Sequence, residues 1–188
     1  MGRIKYGIKN VHIAEVKSTD GKYTYEAPKK ITGAVSITLD ASGEESEEYA
    51  DDVIWYKEDT NNGYEGSLEV EMLDDEILTM MFGHEKVTDG AVLEKATDVP
   101  KEFALMYEFK VGGDPTIKGK RVVLYRVKFA RPSLSTSTKQ KSTSAVHDTL
   151  KITVMPRETD DCIKATITSD KEEKYKTWFE KVYEKAEA

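Results

Sequence analysis

The chain of 188 residues contains one cysteine, Cys162. That excludes a disulfide framework within the chain and any cysteine-based metal site, and it suits folding inside a cell. Histidine is scarce as well. His12, His84 and His147 are the three, and no two share the short spacing of a zinc site. No apolar run approaches the ~18 residues that would span a bilayer. The opening Met-Gly-Arg-Ile-Lys-Tyr lacks a signal-peptide core, and Tyr6 stands where an N-myristoylation signal has Ser or Thr. No internal repeat is visible. Bases are in deficit, with 28 Lys and Arg against 35 Asp and Glu and a net charge of −7. A general nucleic-acid binder usually carries the opposite balance.

What is present is alternation. Residues 64–83 organise the reading. Leu68, Val70 and Met72 fall on one face of a strand, with Ser67, Glu69 and Glu71 on the other. Asp74 and Asp75 then read as acceptors at a helix start. Ile77, Leu78, Met81 and Phe82 form an apolar stripe at helical spacing, and Gly83 ends it. Asn62-Gly63 just before this strand signals a hairpin turn back to residues 52–57.

Five further runs alternate, over residues 31–39, 103–111, 120–131, 150–154 and 163–167. In 120–131, Val123, Tyr125, Val127 and Phe129 are expected on one face. Residues 86–95 read as two short strands about Asp89-Gly90. Residues 171–185 form the best amphipathic helix, with a Ser169/Glu172 capping box and Tyr175, Trp178, Phe179, Val182 and Tyr183 on one stripe. Residues 133–144, rich in Ser, Thr and Lys, read as a mobile loop.

The acids are unevenly placed. Residues 44–76 hold fourteen acids and one base, about −13, while the remainder holds twenty-one acids and twenty-seven bases, about +6. A solvated loop is one reading of such a run. A particle whose acidic patch meets a basic patch on a copy is the other.

Catalytic chemistry finds no foothold. Asp59-Thr60-Asn61-Asn62-Gly63 hints at a calcium loop, but the glycine comes one position early and Val70 stands where a bidentate Glu belongs. Gly63-Tyr64-Glu65-Gly66 is followed by neither Lys-Ser/Thr nor a helix, so it is no phosphate loop. Asp51-Asp52, Asp74-Asp75 and Asp160-Asp161 suit turns and caps. The expectation is no enzyme, no cofactor and no metal.

Several stretches, in order, resemble the major tail proteins of long-tailed bacteriophages and prophages of Gram-positive bacteria. They are Tyr6-Gly-Ile-Lys-Asn-Val-His12, Ile31-Thr-Gly-Ala-Val-Ser-Ile37, Tyr49-Ala-Asp-Asp52, Asn62-Gly-Tyr-Glu-Gly66, Leu73-Asp-Asp-Glu76, Val127-Lys-Phe-Ala-Arg-Pro132 and the late helix around Trp178. The resemblance implies one tail-tube-type domain over 1–188. It would be a two-sheet antiparallel β-sandwich with a short flanking α-helix, an N-terminal arm (1–16), an acidic protruding hairpin (41–66) and a C-terminal helix (171–185). It also implies copies of the chain closing into rings, most often hexamers, that stack into a virion tube and meet tape-measure and tail-terminator proteins. DNA would pass through without specific binding, and no membrane is involved. On this reading Tyr49, Asp52, Trp55, Tyr56, Gly63 and Tyr64 contact other copies, and Glu69 and Glu71 face the lumen. The alternatives are the tube of a contractile tail or type VI-like injection system, and a monomeric β-sandwich binding or decoration module.

Overall fold

The structure, a computed structural model, describes residues 2–19, 21–134, 136 and 146–185. It is mainly β and antiparallel, a curled sheet with the architecture of a β-sandwich. The first strands are β1 (Ile4–Thr19), β2 (Lys22–Tyr25), β3 (Lys29–Ile31) and β4 (Ala34–Ser42). Next come β5 (Glu45–Ala50), β6 (Val53–Asp59) and β7 (Gly63–Val70), then helix α1 (Asp75–Phe82). Short strands β8 (Glu85–Lys86) and β9 (Val92–Leu93) follow, then the long pair β10 (Glu102–Gly112) and β11 (Gly119–Phe129). The chain closes with β12 (Asp148–Val154), β13 (Lys164–Thr168) and helix α2 (Glu172–Lys176). Most of the segment 133–144, read above as a mobile loop, lies outside the described residues.

The main sheet runs β2-β1-β10-β11-β12-β7-β4, with β3 on β1 and β13 on β11. β11 serves two neighbours along one edge. Residues 120–124 pair with β13, and residues 127–129 pair with β12. That fork lets the sheet curl, and the inside of the curl is the first core. Leu68, Phe103, Leu105 and Leu150 are 0% exposed there, and Ile77, Met81 and Phe82 of α1 cap it.

The strands β10 and β11 are buried on both faces, and a bulge decides which residue goes where. Phe103 pairs with Val127 but Leu105 pairs with Leu124, so Tyr125 and Arg126 together oppose Ala104. One extra residue reverses the alternation. Val122 and Leu124 before the bulge, and Val127 and Phe129 after it, enter the first core, while Val123 and Tyr125 enter a second. The expected common face of Val123, Tyr125, Val127 and Phe129 is thereby corrected.

The second core lies on the opposite face of β1, β10 and β11, where Ala14, Ala104 and Met106 meet Trp178 and Val182. The C-terminal segment covers it as the sequence requires, but not as the long helix expected over 171–185. The helix α2 has five residues, followed by turns. The reason is at its end: the Tyr175 carbonyl accepts from the Arg121 guanidinium and, at 3.4 Å, from the N–H of Trp178, three residues on. An α-helix would have used Phe179. The Arg121 guanidinium carbon lies 3.9 Å from the Tyr175 ring centre and 4.6 Å from that of Phe179. The Ser169 hydroxyl does not cap α2. It accepts from the N–H groups of Lys118 (2.8 Å) and Gly119 (3.3 Å).

Around α1 the reading holds in outline. Gly83 has φ +76°, and its N–H closes on the Thr79 carbonyl. Asp74 makes no side-chain cap, however, and the carboxylate of Asp148 accepts from Leu73 N–H at 2.9 Å instead. Met72 is not in the core; the strand ends at Val70 and Met72 is 77% exposed. The N-terminal arm is part of the sheet, since residues 4–15 pair along β10.

Candidate functional site

The region most unlike an ordinary domain surface is the arm formed by β5 and β6. Its strands pair with each other and with no other strand among the described residues. The ribbon is continuous with β4 and β7. Ser42 pairs with Gly63, Asn62 N–H donates to Ser42 O at 2.8 Å, Thr60 N–H donates to Glu44 O at 2.9 Å, and Glu45 pairs with Asp59. The hairpin turn is therefore not at Asn62-Gly63, as the sequence suggested. It is at Asp51 and Asp52, which have φ +52° and +60°. A two-residue hairpin loop demands positive φ at both positions, and Asp tolerates it. The partner of β7 is β4, with β12 on its other edge.

Every residue of β5 and β6 is exposed. Tyr49, Ile54, Trp55 and Tyr56 are 66%, 50%, 75% and 51% exposed. Lys57 bonds Glu45 at 2.8 Å and lies 3.6 Å from Glu47. Pairs this open contribute little to stability. Residues 43–62 carry eight acids and one base, a charge of −7, which equals the net charge of the whole chain.

The six hairpin residues singled out from sequence thus separate. Tyr49, Asp52, Trp55 and Tyr56 are on the projecting arm. Gly63 and Tyr64 are at its root. Gly63 is buried with φ +106°, and a Cβ there would meet the Val154 carbonyl oxygen at 1.9 Å. Tyr64 is half-buried, its hydroxyl accepting from Lys164, whose ammonium lies 4.5 Å from the ring centre.

Glu69 lies on the face of β7 opposite Leu68. Its carboxylate accepts from the Ser36 hydroxyl and lies against His147 Nδ1, both at 2.9 Å. His147 first, then Ser36, holds its pKa below the ordinary glutamate value. Glu71 sits beyond the strand, exposed, with its N–H on the Gly33 carbonyl at 2.8 Å. Strand register completes this outer face in three rows: Ser36–Glu69–Thr149, Thr38–Ser67–Lys151 and Asp40–Glu65–Thr153. It is a polar surface of hydroxyls and acids with one base.

Sequence reasoning missed a second feature. A cleft of about 490 Å³ opens between β1 and β4, lined among others by Lys5, Ile37, Tyr64, Tyr107, Phe109 and Lys164. Burial, and then the nearby Tyr64, push the Tyr107 hydroxyl up to about 12. Only the strand order brings Lys5 and Lys164 to one rim, so no local signal could have found it.

The histidines are dispersed. His12 stacks on Phe179 at 4.7 Å, His84 tilts against Phe82 at 5.8 Å, and His147 meets Glu69. Cys162 is half-buried beside the second core. Among the described residues no helix is long and apolar enough to cross a membrane. No protein-family model matches the chain, and no curated protein matches it in sequence.

Proposed function

We propose that this protein is a structural subunit that assembles with copies of itself, and that the assembly is the tail tube of a bacteriophage or prophage, a conduit for DNA. The observation that carries the proposal is the β5–β6 arm. Aromatic and β-branched residues 50–75% exposed on a strand pair that joins no other strand among the described residues are a liability for a monomer. A two-stranded ribbon is marginal by itself, so an arm of this length gains its order from a partner. Its acids would repel one another unless bases met them, and the rest of the chain supplies those bases.

The sequence resemblance to major tail proteins supports the finer reading. So does the outer face of β4, β7 and β12. A wall bearing Ser, Thr, Asp40, Glu65 and Glu69 would repel phosphates and let DNA slide. On this reading Glu69 and Glu71 point toward the lumen, and the other tail components, tape measure and terminator, meet the ends of the tube. The arm also fits the tube of a contractile particle. A neighbouring sheath gene would favour that form.

The test is direct. Concentrated protein is imaged in negative stain while light scattering follows association across salt concentrations. Rings or tubes that shift with salt are the expected result, because screening acts on partners of opposite charge within a Debye length of ~8 Å at physiological salt. A protein that stays monomeric at every concentration and salt overturns the proposal.

A further inference from the structure

The curled sheet does not close. Along β1, residues 4–9 pair with β10 on one side only, and β4 pairs with β7 on one side only, among the described residues. Across the gap these two edges frame the 490 Å³ cleft. Its volume lies within the ~300–1,000 Å³ range of sites that engulf a bound group. The floor is aromatic and aliphatic, from Ile37, Tyr107 and Phe109, and the rim carries Lys5 and Lys164. Val35 and Tyr6, also on its lining, are 41% and 53% exposed.

Resting on the assembly reading above, we propose that this cleft is the receptor for the β5–β6 arm of a second copy, with Trp55 as the anchor. Three observations select that occupant. The arm is apolar and acidic where the cleft is apolar and basic: eight acids and one base on residues 43–62 face a rim of lysines. Trp55 is the most exposed aromatic of the arm, at 75%, and Trp is among the residues enriched at binding hot spots, where it fills a desolvated pocket. The arm leads away from the cleft of its own subunit. It continues β4 and β7, and the eleven steps from Leu39 to Ala50, at ~3.3 Å each, place its turn about 36 Å away along the ribbon.

The contact is therefore head-to-tail, with arm and cleft on different parts of the surface. Such an interface propagates, closing into a ring or continuing as a filament. The cleft is the incomplete part of each subunit, and the neighbour completes it. Tyr64 and Lys164 take part from the cleft side, so the sequence-selected Tyr64 receives the arm instead of belonging to it.

The experiment uses the full chain with Cys162→Ser, adding Val53→Cys on the arm and Val35→Cys beside the cleft. Val53 is two residues from Trp55 on the same strand, pairs with Ala50 next to the turn, and leaves the anchor intact. Mild oxidation of concentrated protein should give a ladder of covalent oligomers on a non-reducing gel, absent from either single-cysteine protein. In parallel, Trp55→Ala should raise the concentration needed for association at least tenfold while circular dichroism and melting stay those of the parent. Cross-links that stop at dimers overturn the head-to-tail geometry. Assemblies that form without cross-linking, with Trp55→Ala assembling like its parent, overturn the docking and leave the assembly reading standing. A protein that never associates overturns both.

Discussion

The strands β10 and β5 belong to one chain and could hardly differ more. β10 is covered on both faces, by the first core and by the C-terminal segment, and Phe103 through Met106 are each 0% exposed. β5 has no buried residue. The difference teaches where each region's order comes from. The main sheet has the apolar burial that outweighs chain entropy, at ~25 cal/mol per Å². The arm has none of its own and borrows its environment from whatever it meets. Four predictions test that division, in order of decreasing effect on folding.

The largest effect should come from the middle of β10. Leu105→Ala leaves a cavity in the first core beside Phe103 and Leu124, and should cost about 4 kcal/mol. Urea unfolding followed by fluorescence measures it. A loss below about 1 kcal/mol would mean that this core can collapse around the gap.

Next is the pair that ties the second core down. Glu108 is 4% exposed and accepts from Arg121 Nε at 2.9 Å, Asn10 Nδ2 at 3.2 Å and Lys9. Arg121→Ala leaves that buried carboxylate without its guanidinium partner and frees the Tyr175 carbonyl, for a loss of about 3 kcal/mol. Hydrogen exchange should show the loss concentrated in residues 172–183, with α1 unaffected.

The third effect is a pH dependence confined to the same layer. Burial lowers the His12 pKa below 6.5, and the Lys30 and Arg121 charges lower it further, outweighing the Asn10 carbonyl. A group with a depressed folded pKa takes up protons more readily when unfolded. Its contribution is therefore complete above pH 6.5 and is lost as pH falls through the folded value. Lowering the pH from 7.5 to 5.5 should loosen the His12–Phe179 stack and shift Trp178 fluorescence. His12→Phe should remove that shift. A shift that survives in His12→Phe assigns it to another group.

Much of this division was legible in the sequence. Strict alternation gave β7, β10 and β12, and the stripe Ile77, Met81, Phe82 with Gly83 gave α1 nearly to the residue. The acid count marked the arm. Three things were hidden for physical reasons. A bulge at Tyr125–Arg126 reverses a strand's faces, yet it is a property of two strands in register and not of either alone. Asn62-Gly63 and Asp51-Asp52 are both acceptable turns, and only tertiary pairing of β4 with β7 chose between them. The late amphipathic segment kept its buried stripe but not its helix, because Arg121, fifty-four residues earlier, claims the Tyr175 carbonyl. The cleft was invisible, since its two lysines are joined only by topology.

The smallest effect on folding should come from the largest change in sequence. Replacing residues 43–62 by Asn-Gly joins Ser42 directly to Gly63, which already pair across the ribbon, through the two-residue turn such strands favour. Every residue removed is exposed, so no core contact is lost. Shortening the loop also lowers the entropy cost of closing β4 onto β7. The expected change in stability is within about 1 kcal/mol, with Leu68 and Leu150 amides as protected as before. Because residues 43–62 carry −7, the shortened chain is neutral overall and must be studied dilute, since solubility falls near zero net charge. Its melting would stay near that of the parent while its capacity to form rings or tubes disappears. A destabilisation above about 2 kcal/mol would show that the arm supports its own subunit, and the contrast between β5 and β10 would then be one of degree.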